Sequence, residues 1–117
     1  MRIRKVRSDR HLTVAVDGVL RATPESIAFF QELCDEVLDD ISELHLELSG
    51  VLFTDSLWLG FLVTLSLQCK ERGIRLEIPT MSRQLHRLIR AARLDRALPQ
   101  PLEVSPPRPT HVLQTAH

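Results

Sequence analysis

Three stretches of this chain alternate apolar and polar residues with a period of two, and helical patterns separate them. They are Leu12 to Asp17, Leu44 to Ser49, and Ile74 to Ile78. Each shows one aliphatic face and one face of Thr, His, Glu, Arg or Asp, the pattern of a half-buried strand. Strands covered on both sides read as near-continuous apolar runs, so helices should cover one face only. A shorter candidate, Ile3 to Arg7, can pair with the first stretch through the polar turn Ser8-Asp9-Arg10.

The first helical pattern starts at Thr23, an N-cap candidate followed by Pro24, and continues through Ile27, Phe30, Cys34, Val37, Leu38 and Ile41. Its outer face carries Glu32, Asp35, Glu36, Asp39 and Asp40. The second runs from about Ser56 to Arg72, with Gly73 as its stop. It is apolar nearly all round, so it is either central or displays apolar surface. The third has Ser82 as its cap and Met81, Leu85, Leu88, Ile89 and Ala92 as its stripe. Strand, helix, strand units form right-handed crossovers, which make the later strands parallel. The expected fold is a small α/β domain with a mixed sheet of four to five strands and helices mainly on one face.

With 117 residues, 44% of them hydrophobic and 26% charged, the chain supports one ordinary globular core. After Leu98 the prolines at 99, 101, 106, 107 and 109 forbid another helix. Leu102 to Val104 is at most a short edge strand. Residues 1–105 are therefore read as the domain and 106–117 as a disordered, proline-containing tail.

Fifteen basic and fifteen acidic side chains balance, so no global field attracts nucleic acid or anionic lipid. The apolar stretch Leu57 to Val63, broken at Gly60, is far shorter than a membrane span. No apolar segment follows the basic N-terminus, so a secretory signal is absent and a cytoplasmic location is expected. Cys34 and Cys69 lie outside any CxxC arrangement and read as small core residues. His11, His45, His86, His111 and His117 are scattered without metal-ligand spacing, so no metal is expected. The glycines are too dispersed for a phosphate-binding loop, and no serine lies in a nucleophile elbow. No cofactor is expected.

The segment from Ser49 to Ser56 joins the second alternating stretch to the second helix. In α/β folds, partners and ligands gather beyond the carboxyl ends of strands. Asp55 or Ser56 can simply cap the helix, contributing about 1 kcal/mol. Alternatively, a serine at the positive end of a helix is a place where added phosphate is favourably held, while Asp55 beside it repels. Such a residue is a natural switch.

At this junction the text resembles a family. Leu-x-Leu-Ser-Gly-Val-x-Phe-x-Asp-Ser, then Leu-Gly-Phe-Leu in the next helix, a Gly-Ile-Arg-Leu strand and a closing Ile-Arg-Ala-Ala-Arg-Leu-Asp-Arg-Ala-Leu are similar to STAS domains of bacterial anti-sigma factor antagonists. The resemblance spans about residues 1 to 105. It implies a non-enzymatic switch in which a serine is phosphorylated by a partner kinase that is also an anti-sigma factor, and dephosphorylated by a PP2C-type phosphatase. The acceptor matches Ser56, and Asp55 matches the preceding aspartate. Thr54, Asp55, Leu57 and Trp58 then form the contact surface.

The chain departs from the family pattern in three places. Leu57-Trp58 replaces small residues; Trp58 either anchors in a partner's pocket or folds back onto the core. Arg21 stands where many members carry an acidic residue, and it can pair with phosphate at Ser56 if the two loops adjoin. Arg83, Arg87 and Arg90, with Arg93 and Arg96 beyond, form a basic strip, either a solvated face or a surface for an acidic protein. The acidic side of the first helix can serve as that surface's complement in a homodimer. Sparse aromatics speak against nucleic acid. Two other readings remain open: an unphosphorylated STAS subunit regulating an ABC transporter or signalling scaffold, and a small nucleotide or phosphometabolite binder using Asp55, Ser56 and Arg21.

Overall fold

The computed structural model describes residues 1–105, apart from the side chains of 36–39. The expected tail at 106–117 lies outside the described residues. The elements are β1 (Arg2–Ser8), β2 (His11–Leu20), α1 (Pro24–Asp39), β3 (Glu43–Thr54), α2 (Ser56–Glu71), β4 (Arg75–Glu77), β5 (Thr80–Ser82), α3 (Arg83–Ala91) and β6 (Glu103–Ser105). One mixed sheet runs β1-β2-β3-β5-β6, with β4 also pairing with β3. Among the described residues, only the β1–β2 hairpin is antiparallel.

The sheet has six strands rather than four or five. Proline at 79 has no amide hydrogen to donate and cannot continue the ladder. The expected strand therefore stops at Glu77, and the chain pairs with β3 again at Met81, opposite Leu48. The amides of Leu102 and Glu103 donate to the carbonyls of Ile78 and Pro79, drawing β6 alongside.

Alternation places Leu12, Val14 and Val16 of β2 with Leu44, Leu46 and Leu48 of β3 on one buried face. All three helices contribute to that core: Leu33 and Cys34 from α1, Leu59, Leu62, Leu65 and Cys69 from α2, and Leu85 and Ile89 from α3. The opposite face carries His11, Thr13, Asp17, Glu43, His45 and Glu47, all half-buried.

Helix α2 meets both expectations for an all-round apolar helix. One stripe is buried, and Phe61 stacks on Phe30 of α1 with ring centroids 4.6 Å apart. Leu57 and Leu67 nevertheless remain exposed. The helix closes as foreseen at Gly73, whose φ of +69° suits glycine. Gly73 donates to the Lys70 carbonyl and Ile74 to that of Cys69, a Schellman closure.

β3 is longer than its alternation suggested. Between Ala15 and Asp17, and again between Gly18 and Val19, β3 spends one residue more than its partner β2. Each extra residue is a bulge that shifts the inward phase. The buried positions become Leu48, Val51 and Thr54, while Leu52 and Phe53 turn out to solvent.

Candidate functional site

The junction between β3 and α2 is fixed mainly by Asp55. It caps α2 from extended backbone, and its Oδ1 accepts from the Trp58 amide at 2.9 Å. Its Oδ2 accepts from the Ala22 amide, also at 2.9 Å. The Asp55 amide donates to the Leu20 carbonyl at 3.1 Å. One residue thus satisfies helix and loop donors together. These amides, Trp58 first and then Ala22, hold the Asp55 carboxyl below its ordinary range; burial opposes each by less, and the still weaker Arg21 charge acts with the amides.

The loop after β2 therefore lies beside the start of α2. The Arg21 carbonyl accepts from Trp58 Nε1 at 3.1 Å, from the Thr23 amide at 2.9 Å and from the Ser26 hydroxyl. Thr23 caps α1 as expected, and Ser26 completes a capping box. Arg21 is thus pinned through its backbone while its side chain is exposed.

Ser56 is the first residue of α2 and is exposed. Asp55, not Ser56, supplies the cap, so the exposed serine is not needed for that role. Beside it Leu57 is 52% exposed, and Leu52, Phe53 and Val19 add apolar surface, with Val19 opposite Phe53 in the β2–β3 register. Sequence reasoning missed Leu52, Phe53 and Val19, because the bulges that expose them depend on the pairing of distant strands.

Two expected contact residues are corrected. Trp58 is only 3% exposed and folds back onto the core, its indole near Phe29 and edge-on to Phe61. Its ring nitrogen is occupied by the Arg21 carbonyl, so it offers no anchor to a partner. Thr54 is likewise buried, and its hydroxyl donates to the Asp55 carbonyl. Arg83 and Arg87 are exposed on α3, which is a separate element. Among the described residues, no hydrogen bond or ion pair joins either of them to Ser56.

A hollow of about 350 Å³ opens near this end of the sheet, lined by Arg2, Asp17, Gly50, Leu52 and Gln84 among others. Asp55, Ser56 and Arg21 are not among its lining residues; Arg21 borders a separate hollow of about 230 Å³ with Val19, Thr23, Glu25 and Ser26. Cys34 and Cys69 are buried as expected. Burial pushes the Cys69 thiol up to about 11 and raises that of Cys34 as well. The picture of scattered histidines needs correction: His11 and His45 meet on the open face, ring centroids 4.3 Å apart.

The sequence profile of the family described as "Mlab, STAS domain" matches residues 3–103, and the chain belongs to that family. Among solved structures, it is similar to the anti-sigma factor antagonist SpoIIAA in its unphosphorylated form, with a TM-score of 0.68 at 8% identity, covering 92% of this chain and 90% of the other. It is also similar to an anti-sigma factor antagonist from Mycobacterium paratuberculosis, with a TM-score of 0.66 at 20% identity, covering 93% and 86%. At these identities the likeness shows the fold. No curated protein sequence matches the chain significantly. No helix among the described residues is long and apolar enough to cross a membrane.

Proposed function

We propose that this protein is a non-enzymatic regulator that binds an anti-sigma factor through the β3–α2 junction, with phosphorylation of Ser56 as the switch. The observation that carries this reading is an exposed serine at the first position of α2, beside a fully engaged Asp55 and bordered by exposed Leu57, Leu52, Phe53 and Val19. Membership of a STAS family and likeness to two anti-sigma factor antagonists support the class of partner. That one of them is described in its unphosphorylated form supports the kind of switch.

The chemistry follows from the junction. Unmodified, the apolar residues and the small hydroxyl form a surface that a partner can desolvate. A phosphate adds about −1.5 to −2 charges at neutral pH, and burying it against a partner costs far more than burying a hydroxyl. The positive end of the α2 dipole and the exposed side chain of Arg21 hold the phosphate on the unbound protein. Modification therefore favours release. The kinase would be the anti-sigma factor itself, and a PP2C-type phosphatase would reset the cycle. Arg83 and Arg87 offer a separate, charge-based contact to an acidic partner.

The test is affinity capture from native cytosol with wild type, Ser56→Ala and Ser56→Asp as baits, alongside intact mass after incubation with ATP and lysate. The expected result is one phosphate adduct in wild type, none in Ser56→Ala, and an anti-sigma factor retained by wild type and Ser56→Ala but lost by Ser56→Asp. An adduct that persists in Ser56→Ala refutes the switch.

A second reading, a constitutive STAS subunit of a transporter or scaffold, draws on Leu57, which places a large apolar group where the family carries a small one. Under it, capture is abolished by Leu57→Ala and unaffected by either change at Ser56.

A further inference from the structure

On the open face of the sheet, at the opposite end of β3 from Ser56, four titratable side chains meet across three adjacent strands. Register places His11 of β2 opposite Glu43 of β3, and His45 of β3 opposite Glu77 of β4. Strand periodicity turns all of them toward the face that no helix covers. His45 Nε2 lies 3.2 Å from Glu43 Oε2 and 3.2 Å from Glu77 Oε1, and His11 Nδ1 lies 3.5 Å from Glu43 Oε1. One donor atom each from His11, Glu43 and His45 falls within 4.8 Å of the other two. Arg75 holds the other oxygen of Glu77 at 2.7 Å.

These spacings suit a shared cation. Zinc binds imidazole nitrogen and carboxylate oxygen at about 2.0 to 2.2 Å, so neighbouring donors in a tetrahedral shell stand about 3.3 Å apart. The two Glu43 contacts bracket that value. His11 and His45 are both partly exposed, so an ion reaches them from solvent. Two nitrogen ligands with a carboxylate select a borderline transition ion over calcium or magnesium, which favour all-oxygen shells.

We propose that His11 Nδ1, Glu43 and His45 Nε2 form a binding site for a divalent transition-metal ion of the zinc class on the uncovered face of the sheet, with Glu77 adding negative charge from β4. The ion would tie the first residues of β2 and β3 together, at the end of β3 away from its junction with α2.

The tag-free full chain is titrated with Zn²⁺ by calorimetry at neutral pH, and its melting temperature is followed with and without the ion. One equivalent binds and raises Tm, and His11→Gln and His45→Gln each weaken binding at least about tenfold. His86→Gln, on α3, leaves it unchanged. Co²⁺ gives the visible bands of a tetrahedral nitrogen and oxygen site in wild type and loses them in both variants. Each variant's circular dichroism matches wild type, since these side chains are outside the core. Absence of stoichiometric binding, or binding that survives both substitutions, overturns the site.

Discussion

The two ends of β3 are built from the same alternating strand and end as opposite surfaces. At the start, the period of two is unbroken: Leu44 and Leu46 are turned in, and Glu43 and His45 face their neighbours on the open side. At the finish, two bulges break the period, Thr54 is drawn inside and Leu52 and Phe53 are pushed out. Polar groups there are engaged by backbone, with both Asp55 oxygens on amides. Regular pairing thus yields a polar array suited to ions, and irregular pairing yields an apolar patch suited to protein. Surface character here follows from the regularity of one ladder as much as from residue type.

Five substitutions probe that contrast. The largest effect is expected from Trp58→Ala, which removes a buried ring and one of the three donors to the Arg21 carbonyl; unfolding in denaturant should show a loss of about 3 to 5 kcal/mol. Leu57→Ala, one residue earlier, should change stability by less than about 0.5 kcal/mol while reducing partner capture. If Leu57 proved as costly as Trp58, the division between inner and outer sides of α2 would fail.

Asp55→Ala comes next, at about 2 kcal/mol, because a cap and the acceptor for the Ala22 amide disappear together. Its pH dependence carries a sign. The folded carboxyl titrates below its ordinary range, whereas the unfolded chain titrates near 3.9. The contribution is therefore complete above about pH 4 and fades as pH falls through the lower folded value. Acid titration of stability should consequently fall less steeply in Asp55→Ala than in wild type below about pH 4.

Gly50→Ala addresses the bulge directly. A Cβ at Gly50 would lie 2.0 Å from Asp17 Oδ1 and 2.8 Å from its Cγ, so the carboxylate must swing away and release Arg4, now 3.7 Å distant. Asp17 is partly exposed and can move, so the expected cost is about 1 kcal/mol, read from the denaturation midpoint. At the regular end, Glu43→Gln should alter metal-free stability by less than about 0.5 kcal/mol, since it removes only partly exposed ion pairs.

What could be read from the sequence was local. Thr23, Pro24, Ser82 and Gly73 announce helix ends because caps act within one turn, and each stands where it was expected. Alternation located β2, the start of β3 and β4 for the same reason. Three features escaped because they are settled by distant pairing or by too few residues. The bulges need β2 aligned on β3; β5 has only three residues; the meeting of His11 with His45 spans 34 positions by their numbers. At the site, Ser56, Asp55 and the neighbouring Arg21 loop were legible from motif and position, but the inward turn of Trp58 was not. Its direction is fixed by a carbonyl 37 residues away.

One margin of the sheet has a further consequence. Among the described residues β1 pairs with β2 alone, which makes it an edge of the sheet, the kind of border on which foreign strands add. Its seven residues, Arg-Ile-Arg-Lys-Val-Arg-Ser, carry cationic groups at Arg2, Arg4, Lys5 and Arg7. A like strand from a second copy would bring those cations together, a charge pattern that disfavours edge-to-edge stacking along that border.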